Sequence, residues 1–488
     1  MGARAVAGIG IQLNRIFSKR TVTTSLYGIV FSINYAIGPM LLVILCLLLM
    51  YKALGFNEVG YVDRELFSCS LLYIFLFSLL TVAPFNSTLS KYMTDRIYLE
   101  HYDDIRPCAY MGIILNLSFS SLLGIPFYLR VILVGHVPAY YVFTSYIGYL
   151  SMTLVLAAMI YNSILKHYKK ISKFFMFGML TALLLSLLFR YVLHFSVTYS
   201  MLLSLTIGFL QIAIMEFSNI LRNFHANSYN YRGAFSYFRI FWKLIVSNFL
   251  YIFGLFAHNF VFWSLPWHLV ILNSYVCNQP YDLASCIAML TNISASVLFI
   301  TRTEMHFHQR YADYTHAVNG GKLDSIEKAK QRMFSTLASQ ILALVQIQFI
   351  VSVVLYLIAN ILLPLYGFSG MTMQIYPLLS VGYFIAYIMY SGMLFLYYFN
   401  DLTGSLISSV IFSSISLGAS FISAHLPIMW YGSGFTVAAF CSFTFIYFRL
   451  RWVEKNLNYF TFCTGTVLKP AEGEMPPAEV FQREQSAP

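Results

Sequence analysis

The chain has 488 residues, of which 59% are hydrophobic and only 10% are charged. A soluble globular protein carries about 25% charged residues, so this composition excludes a single water-soluble core and indicates a membrane protein. The formal net charge of +11 would suggest nucleic-acid binding in a soluble domain. Here the basic residues lie in connectors between apolar segments, where membrane topology and anionic lipids account for them, so we expect no nucleic-acid partner.

Residues 1–25 form a basic amphipathic segment, in which apolar side chains recur at helical spacing beside Arg15, Lys19 and Arg20. Such a segment is typical of a helix that lies flat at the cytoplasmic face of a membrane. Twelve apolar stretches follow, each close to the roughly 20 residues that a membrane-spanning helix needs. We number them spans 1 to 12, at residues 26–50, 66–90, 109–133, 140–164, 174–194, 199–221, 240–264, 283–301, 335–359, 375–398, 403–424 and 428–450.

The basic residues predict how these spans are oriented. All Lys and Arg side chains lie on one side of the arrangement except Lys52, Arg64, Arg130 and Arg190. Cytoplasmic connectors carry the excess of basic residues, so we expect both termini in the cytoplasm. The expected fold is an all-α polytopic membrane protein, and its parts are two six-helix bundles at 26–221 and 240–450, a cytoplasmic connector at 222–239 and a largely disordered cytoplasmic tail at 451–488.

The longest polar connector, residues 302–332, lies between spans 8 and 9 and carries six basic residues. In it Arg310 is followed closely by two tyrosines, and after span 2 Arg96 is followed by two tyrosines in the same way. If each arginine follows the second helix of a six-helix unit, the two halves of the chain are related. The charged residues 322–334 predict a short helix that runs into span 9.

Sequence motifs of enzymes are absent. The chain has no nucleotide-binding loop, serine-nucleophile elbow, zinc-protease motif or dinucleotide fingerprint, so we expect neither an enzyme nor a cofactor. Glu304, His306 and His308 are metal-ligating residue types, but alternate residues point to different sides of a helix, and we expect no metal site. The seven cysteines include no CxxC pair. We expect free thiols, with a disulfide between Cys277 and Cys286 as the alternative.

Charged residues inside the spans are the sharpest functional signal, because hydrocarbon makes them costly. Glu216 in span 6 and Lys243 in span 7 lie at a similar depth, and one cytoplasmic connector joins the two spans. We expect these charges to meet at the junction of the halves. They would serve there either as an ion pair that locks the halves together or as a gate on a substrate pathway.

Two further groups are candidates for the substrate pathway. Three basic side chains lie near the outer ends of spans 3 and 5: Arg130, Arg190 and His194. Snorkelling to the membrane surface explains them, and a polar lining of the exit is the alternative. Three tyrosines share one face of span 10: Tyr383, Tyr387 and Tyr390. Helix packing accounts for this face, and stacking against sugar rings is the functional alternative.

Several stretches carry a resemblance to a known family. They are AVAGIGIQLNRIFSKRT at the start, KYMTDRIYLEHYDDIRP after span 2, and HQRYADYTHAVNGG with the following IEKAKQRM after span 8. Together with Ile37-Gly38-Pro39 in span 1, they resemble the PelG family of Pel exopolysaccharide transporters. The resemblance covers about residues 5–455 in length and number of spans. The proline-bearing tail after Lys469 has no counterpart in it.

The resemblance implies a concrete function and set of partners. The family belongs to a superfamily of multidrug, oligosaccharidyl-lipid and polysaccharide flippases, whose members have two six-helix bundles around a central cavity. Its members are expected to carry a growing amino-sugar polymer across the cytoplasmic, or inner, membrane. The implied partners are a cytosolic glycosyltransferase and small membrane subunits of the Pel system, one of them a cyclic-di-GMP receptor. The resemblance supplies no catalytic or metal residues.

Other functions remain open at this point. A lipid-linked oligosaccharide flippase or a drug antiporter would share the same fold. A membrane glycosyltransferase would need an acidic residue on an outer loop, and the first outer loop offers Glu58, Asp63 and Glu65. A structural scaffold for a polymer synthase would tolerate the loss of every buried charge.

Overall fold

The computed structural model describes residues 38–165, 168–266, 268–299, 303, 305–365, 370–459 and 461–462. The predicted interfacial segment 1–25, the first part of span 1 and the tail from residue 463 lie outside these residues. The helices of the first half are α1 (Gly38–Ala53), α2 (Tyr61–Tyr98), α3 (Ile105–Leu133), α4 (Ala139–Ile164), α5 (Tyr168–Tyr191) and α6 (Val197–Asn223). A short helix, α7 (Tyr231–Ile240), lies in the connector.

The second half continues the chain with α8 (Trp242–Trp263), the strands β1 (Leu269–Ile271) and β2 (Tyr275–Cys277), α9 (Gln279–Asn292), α10 (Ser294–Leu298), α11 (Met305–Gly320), α12 (Leu323–Leu365), α13 (Gly370–Tyr398), α14 (Leu402–Ser423) and α15 (Ser433–Tyr459). The two strands form an antiparallel hairpin in which Val270 faces Val276. This hairpin lies between spans 7 and 8. It therefore sits at the end of the molecule opposite the basic connectors, which we name the outer end.

Ten helices in the described part of the chain are long and apolar enough to cross a membrane. They coincide with spans 2 to 7 and 9 to 12, which confirms the predicted class of a polytopic α-helical membrane protein. Span 1 is represented by α1, which has 16 described residues. The count of twelve spans and the cytoplasmic position of the termini stay predictions.

Span 8 is broken in two, at Ile293 between α9 and α10. The break falls among polar residues whose side chains find partners on neighbouring helices. Ser352 of α12 donates to Asn292 Oδ1 at 2.7 Å, and Ser294 donates to Gln348 Oε1 at 3.0 Å. Polar groups at membrane depth need such partners. The length of an apolar stretch alone does not predict this interruption.

Helix α12 confirms the helix predicted to run into span 9. It continues without interruption for 43 residues, which is about 65 Å at 1.5 Å per residue. Its first turns are charged, and Glu327 contacts Lys330 at 3.0 Å and accepts from Asn458 of α15 at 3.1 Å. Hydrogen bonds from Lys330 and Asn458 lower the pKa of the Glu327 carboxyl at this end.

The two halves repeat one pattern of helix pairing. In the first half the packed pairs are α1 with α5, α5 with α6, α4 with α6, α2 with α4, α3 with α4, and α2 with α3. The corresponding pairs in the second half are α8 with α14, α14 with α15, α13 with α15, α9 with α13, α12 with α13, and α9 with α12. Within the described residues, each half therefore forms one helix bundle, and the two bundles repeat the same pattern of pairing.

Candidate functional site

The two bundles meet along α2 of the first and α8 of the second. Near the middle of this contact, Asn248 Nδ2 of α8 donates to the carbonyl oxygen of Ala83 at 2.6 Å. The acceptor lies one residue before Pro84, inside α2. This hydrogen bond joins the two bundles near the middle of their contact edge.

The hairpin closes the outer end of this edge. It leaves the second half and packs onto the first bundle, so that Ile271, Tyr275 and Cys277 are buried in the core of the first six helices. At the hairpin tip Leu272 and Asn273 have positive φ, and the Ser274 N–H closes the tight turn by donating to the Ile271 carbonyl at 3.1 Å. The tip lies against Gly135, where a Cβ atom would be 2.8 Å from the Leu272 carbonyl oxygen. Only glycine leaves room for this approach.

Side chains of α2 hold the hairpin in place. The hydroxyl of Tyr73 donates to the Val276 carbonyl at 2.9 Å and accepts from the Val276 N–H at 3.1 Å. The Tyr73 ring also stacks on Trp263 at the end of α8, with centroids 5.4 Å apart and planes at 3°. Gln279 donates to Glu65 at 3.4 Å. We name this group the outer clasp; its members are Glu65, Cys69, Tyr73, Trp263, Val276, Cys277 and Gln279.

The outer clasp contains a cysteine contact that the sequence did not predict. Cys69 Sγ of α2 lies 3.0 Å from Cys277 Sγ of β2. Cys286, the alternative partner expected for Cys277, is exposed on α9. Cys277 and Cys286 are both free thiols, which is the main expectation from the sequence.

We expect the change of Tyr73 to phenylalanine to loosen the hairpin and to destabilise the protein by about 1–3 kcal/mol, because both Val276 backbone groups would lose their partner. Amide hydrogen exchange of residues 269–277 should become faster, and thermal unfolding in detergent should occur at a lower temperature. The change of Tyr146 to phenylalanine is the matched control, since that hydroxyl donates to Ser121 within the first bundle at 3.0 Å. Equal exchange rates in the two variants would contradict the clasp.

At the basic end, the connector between the bundles is tied to the loop between α2 and α3. The Ser228 N–H donates to the Asp103 carbonyl at 3.0 Å, and its hydroxyl contacts Asp104. Asp104 forms an ion pair with Arg96 at 3.3 Å. Arg96 therefore has a structural role at the junction. Arg310, its counterpart in the predicted repeat, pairs with Asp313 at 3.3 Å on an exposed helix.

Glu216 and Lys243 do not meet, so the expected contact between them is wrong. Lys243 Nζ donates to Thr403 Oγ1 at 2.8 Å, within its own bundle. Glu216 faces the interior of the first bundle, where it is 0% exposed and neither carboxyl oxygen has a hydrogen-bond partner. The number of residues between each side chain and the connector predicts its depth but not the rotation of its helix about the helix axis. The rotation directs the two side chains into different bundles. Their place on a substrate pathway stays a prediction.

A chain of polar side chains lies beside Glu216. Asn162 donates to the Glu216 carbonyl at 3.2 Å and accepts from Asn219 at 2.7 Å. Lys170 in turn donates to Asn219 at 2.8 Å. None of these contacts reaches the Glu216 carboxyl group. The first bundle thus keeps an acidic group in its core without a visible partner, which is costly in a protein interior.

The three outer basic residues are near the predicted depth but are not joined to one another. Arg130 is exposed at the outer end of α3, and His194 is exposed in the turn after α5. Arg190 donates to the Phe195 carbonyl of its own turn at 3.1 Å. Within the described residues, no hydrogen bond connects the three side chains. Their assignment to an exit lining stays a prediction.

The tyrosine face of span 10 turns into the interior of the second bundle, toward α8 and α9. The hydroxyl of Tyr383 lies 2.9 Å from Ser285 Oγ. Tyr390 stacks on Tyr251 of α8 with centroids 4.7 Å apart. Tyr387, between them on the same face, is half-buried. The face therefore packs against facing helices inside one bundle, and a contact between these tyrosines and a sugar stays a prediction.

His258 is a buried polar residue that sequence reasoning missed. It is 0% exposed, its Nδ1 lies 2.8 Å from the Tyr281 hydroxyl, and its Nε2 has no partner. The adjacent Asn259 donates to Asp282 at 2.8 Å. The sequence did carry a signal, because His258-Asn259 interrupts an otherwise apolar span.

An aromatic cavity of about 240 Å³ opens between α2, α3 and α4, next to the outer clasp. Its lining is Tyr73, Phe77, Leu123, Gly124, Phe127, Tyr128 and Tyr149.

At the basic end of the second bundle, a groove of about 320 Å³ is lined by Arg310, Gln331, Arg332, Ser335 and Thr336. No group of three His, Cys, Asp or Glu side chains that could hold a metal ion occurs in the described part of the chain.

Comparison with known proteins gives a family and a fold. A family model, PelG, described as "Putative exopolysaccharide Exporter (EPS-E)", matches residues 6–462. A MATE transporter structure in complex with MaD5 is 14% identical, with a TM-score of 0.57, and the match covers 91% of this chain and 99% of that one. No curated protein matches the chain.

A second similar structure is the outward-facing conformation of a multidrug resistance MATE family transporter of the MOP superfamily. It is 16% identical with a TM-score of 0.52, and the match covers 91% of this chain and 99% of that one. Identities this low show a shared fold alone.

Proposed function

Because the chain belongs to the PelG family of exopolysaccharide exporters, we propose that it carries a growing amino-sugar polymer across the cytoplasmic membrane while a cytosolic glycosyltransferase extends that polymer. The observation that carries the proposal is the family match over residues 6–462. The chain is a multi-pass membrane protein with the fold of a transporter. The polymer as substrate, the inner membrane as location and the enzyme as partner are parts of the proposal.

The architecture supports this role through the contact edge between the bundles. The outer clasp and the Asn248 contact hold α8 against α2, and we propose that the polymer passes between the two bundles beside this edge. Arg130, Arg190 and His194 are the proposed polar contacts of the polymer, and Glu216 is proposed to act on transport from the interior of the first bundle. Tyrosine rings can stack on sugar rings, and the aromatic cavity next to the outer clasp offers such rings near the outer end.

The proposed docking surface for the glycosyltransferase is the groove at the basic end. Arg310 of α11 and Arg332 of α12 contribute two guanidinium groups to it. Guanidinium groups bind carboxylates in bidentate geometry, so the surface suits an acidic patch on a partner. The small membrane subunits of the Pel system, including a cyclic-di-GMP receptor, are further proposed partners.

The decisive experiment measures polymer outside and inside cells that lack this chain, with the glycosyltransferase still present and active. We expect extracellular polymer to disappear and intracellular polymer or nucleotide-sugar consumption to persist. A plasmid copy of the wild-type chain should restore export. Unchanged extracellular polymer would overturn the proposal. Loss of drug resistance or of lipid-linked oligosaccharide translocation in the same cells would then assign the chain to another transporter class.

A further inference from the structure

Two cysteines from opposite halves of the chain touch at the outer clasp. Cys69 lies on α2 and Cys277 on β2, 208 residues apart, with their Sγ atoms at 3.0 Å. They are 2% and 4% exposed. Both are thiols in this structure.

The neighbours of the two cysteines hold them in register. Tyr73, one helical turn after Cys69, binds both backbone groups of Val276, the residue before Cys277. Glu65, one turn before Cys69, accepts from Gln279 on the other side of Cys277. A disulfide has a sulfur–sulfur bond of about 2.05 Å, so the Sγ atoms need to approach by only about 1 Å. The contacts on both flanks keep the two sulfur atoms in register once the strand has packed on the helix.

The position of the pair suits oxidation. The hairpin lies at the end of the molecule opposite the basic connectors. Basic connectors stay in the cytoplasm, so the hairpin end faces away from the cytoplasm. Disulfides form and persist in compartments outside the cytosol. Cys108 has a different setting, because it lies at the basic end with its Sγ against the Leu89 carbonyl at 3.7 Å.

We propose that Cys69 and Cys277 form a disulfide bond that fastens α2 of the first bundle to the hairpin of the second half. The oxidant is a protein disulfide of the thiol-oxidase class. One cysteine thiolate attacks that disulfide to give a mixed disulfide and one thiol on the oxidant. The second thiolate then displaces the oxidant's other sulfur. The chain loses two protons and two electrons, and the oxidant gains them as two thiols.

The bond has a consequence for movement between the bundles. The hydrogen bonds of Tyr73 are reversible, so they let the hairpin leave α2 and return. A covalent bond at the same place removes that freedom. The oxidised protein therefore keeps this edge closed, and any opening at the outer end has to take place elsewhere around the bundles. This proposal concerns the chain's own thiols and does not depend on which substrate is carried.

The test counts disulfide-bonded cysteines in cells. Thiols are blocked by acid quenching and N-ethylmaleimide, and the chain is then reduced and labelled with a maleimide-polyethylene glycol that shifts its mobility. We expect two labels on the wild-type chain and none on Cys69→Ser, although that variant keeps Cys277. Cys108→Ser should keep both labels, and so should Cys286→Ser, which excludes pairing between molecules through the exposed thiol. A wild-type chain without labels, or a Cys69→Ser chain that keeps them, overturns the proposal.

A second measurement needs no variant. Reduction of the purified wild-type protein should lower its melting temperature by about 5 °C, since a disulfide between distant segments restricts the unfolded chain. Reduction should leave the melting temperature of the Cys69→Ser protein unchanged. Equal shifts in both proteins would overturn a disulfide at this position.

Discussion

Replacing Glu216 by leucine is expected to raise the melting temperature of the purified protein and to abolish polymer export. Glu216 is 0% exposed and both of its carboxyl oxygens lack a hydrogen-bond partner. An unsatisfied buried polar group costs about 1–3 kcal/mol, and leucine removes that cost at a similar volume. An ionisable group inside a membrane protein is by default a hypothesis for a functional site. Opposite effects on stability and export are what a group kept for function predicts.

The change of Glu216 to glutamine is the control. Glutamine keeps the shape and polarity of the side chain but cannot ionise, so it separates ionisation from hydrogen bonding. Export lost in both variants assigns a role to ionisation, and export lost in the leucine variant alone assigns a hydrogen-bonding role. Thermal unfolding in detergent and extracellular polymer at matched protein levels are the two measurements. Full export by the leucine variant would remove Glu216 from the substrate pathway.

Replacing Gly434 by leucine is expected to abolish accumulation of the folded protein. Gly434 of α15 crosses α14 so closely that a Cβ atom would lie 2.5 Å from the Ser420 backbone nitrogen and 2.6 Å from the Ala419 carbonyl carbon. Both atoms belong to the backbone and cannot turn aside as a side chain can. Small residues allow such close crossings in membrane bundles. Forcing the helices apart breaks the packing of the second bundle, which we expect to cost more than about 4 kcal/mol.

The matched control is the change of Gly418 to leucine on α14. Gly418 lies close to the same crossing, but a Cβ atom there meets nothing within 4 Å. This variant should accumulate to the wild-type level and elute as a single species from a size-exclusion column. If the two leucine variants accumulate equally, the close crossing of α14 and α15 is not required for folding.

Length and hydropathy predicted most of the helices because a span is a local property of the sequence. Ten of the predicted spans are single helices that coincide with the predicted stretches. The paired halves were predicted from a short similarity around Arg96 and Arg310, and the fold repeats its pairings throughout. Span 8 failed this rule, because its helix breaks at Ile293, between Asn292 and Ser294, whose side chains bind Ser352 and Gln348 of α12.

The candidate site was less predictable because it depends on helix rotation and on contacts between distant segments. Glu216 and Lys243 have similar depths, yet the first faces the core of its own bundle and the second reaches Thr403. The outer clasp joins residues about 200 positions apart. No periodicity in the sequence connects Cys69 with Cys277 or Tyr73 with Val276, so only the folded chain reveals these pairs.

Helix α12 has a mechanical consequence. A bilayer core is about 30 Å thick, so a helix of 43 residues passes through it with roughly half of its length left over. Residues 331–336 of α12 form one wall of the groove at the basic end, and the same helix continues into the part that packs on α13. The projecting part is therefore a lever arm. We expect a force applied to this arm to reach the second bundle along one continuous helix, because no loop separates the arm from the part that packs on α13.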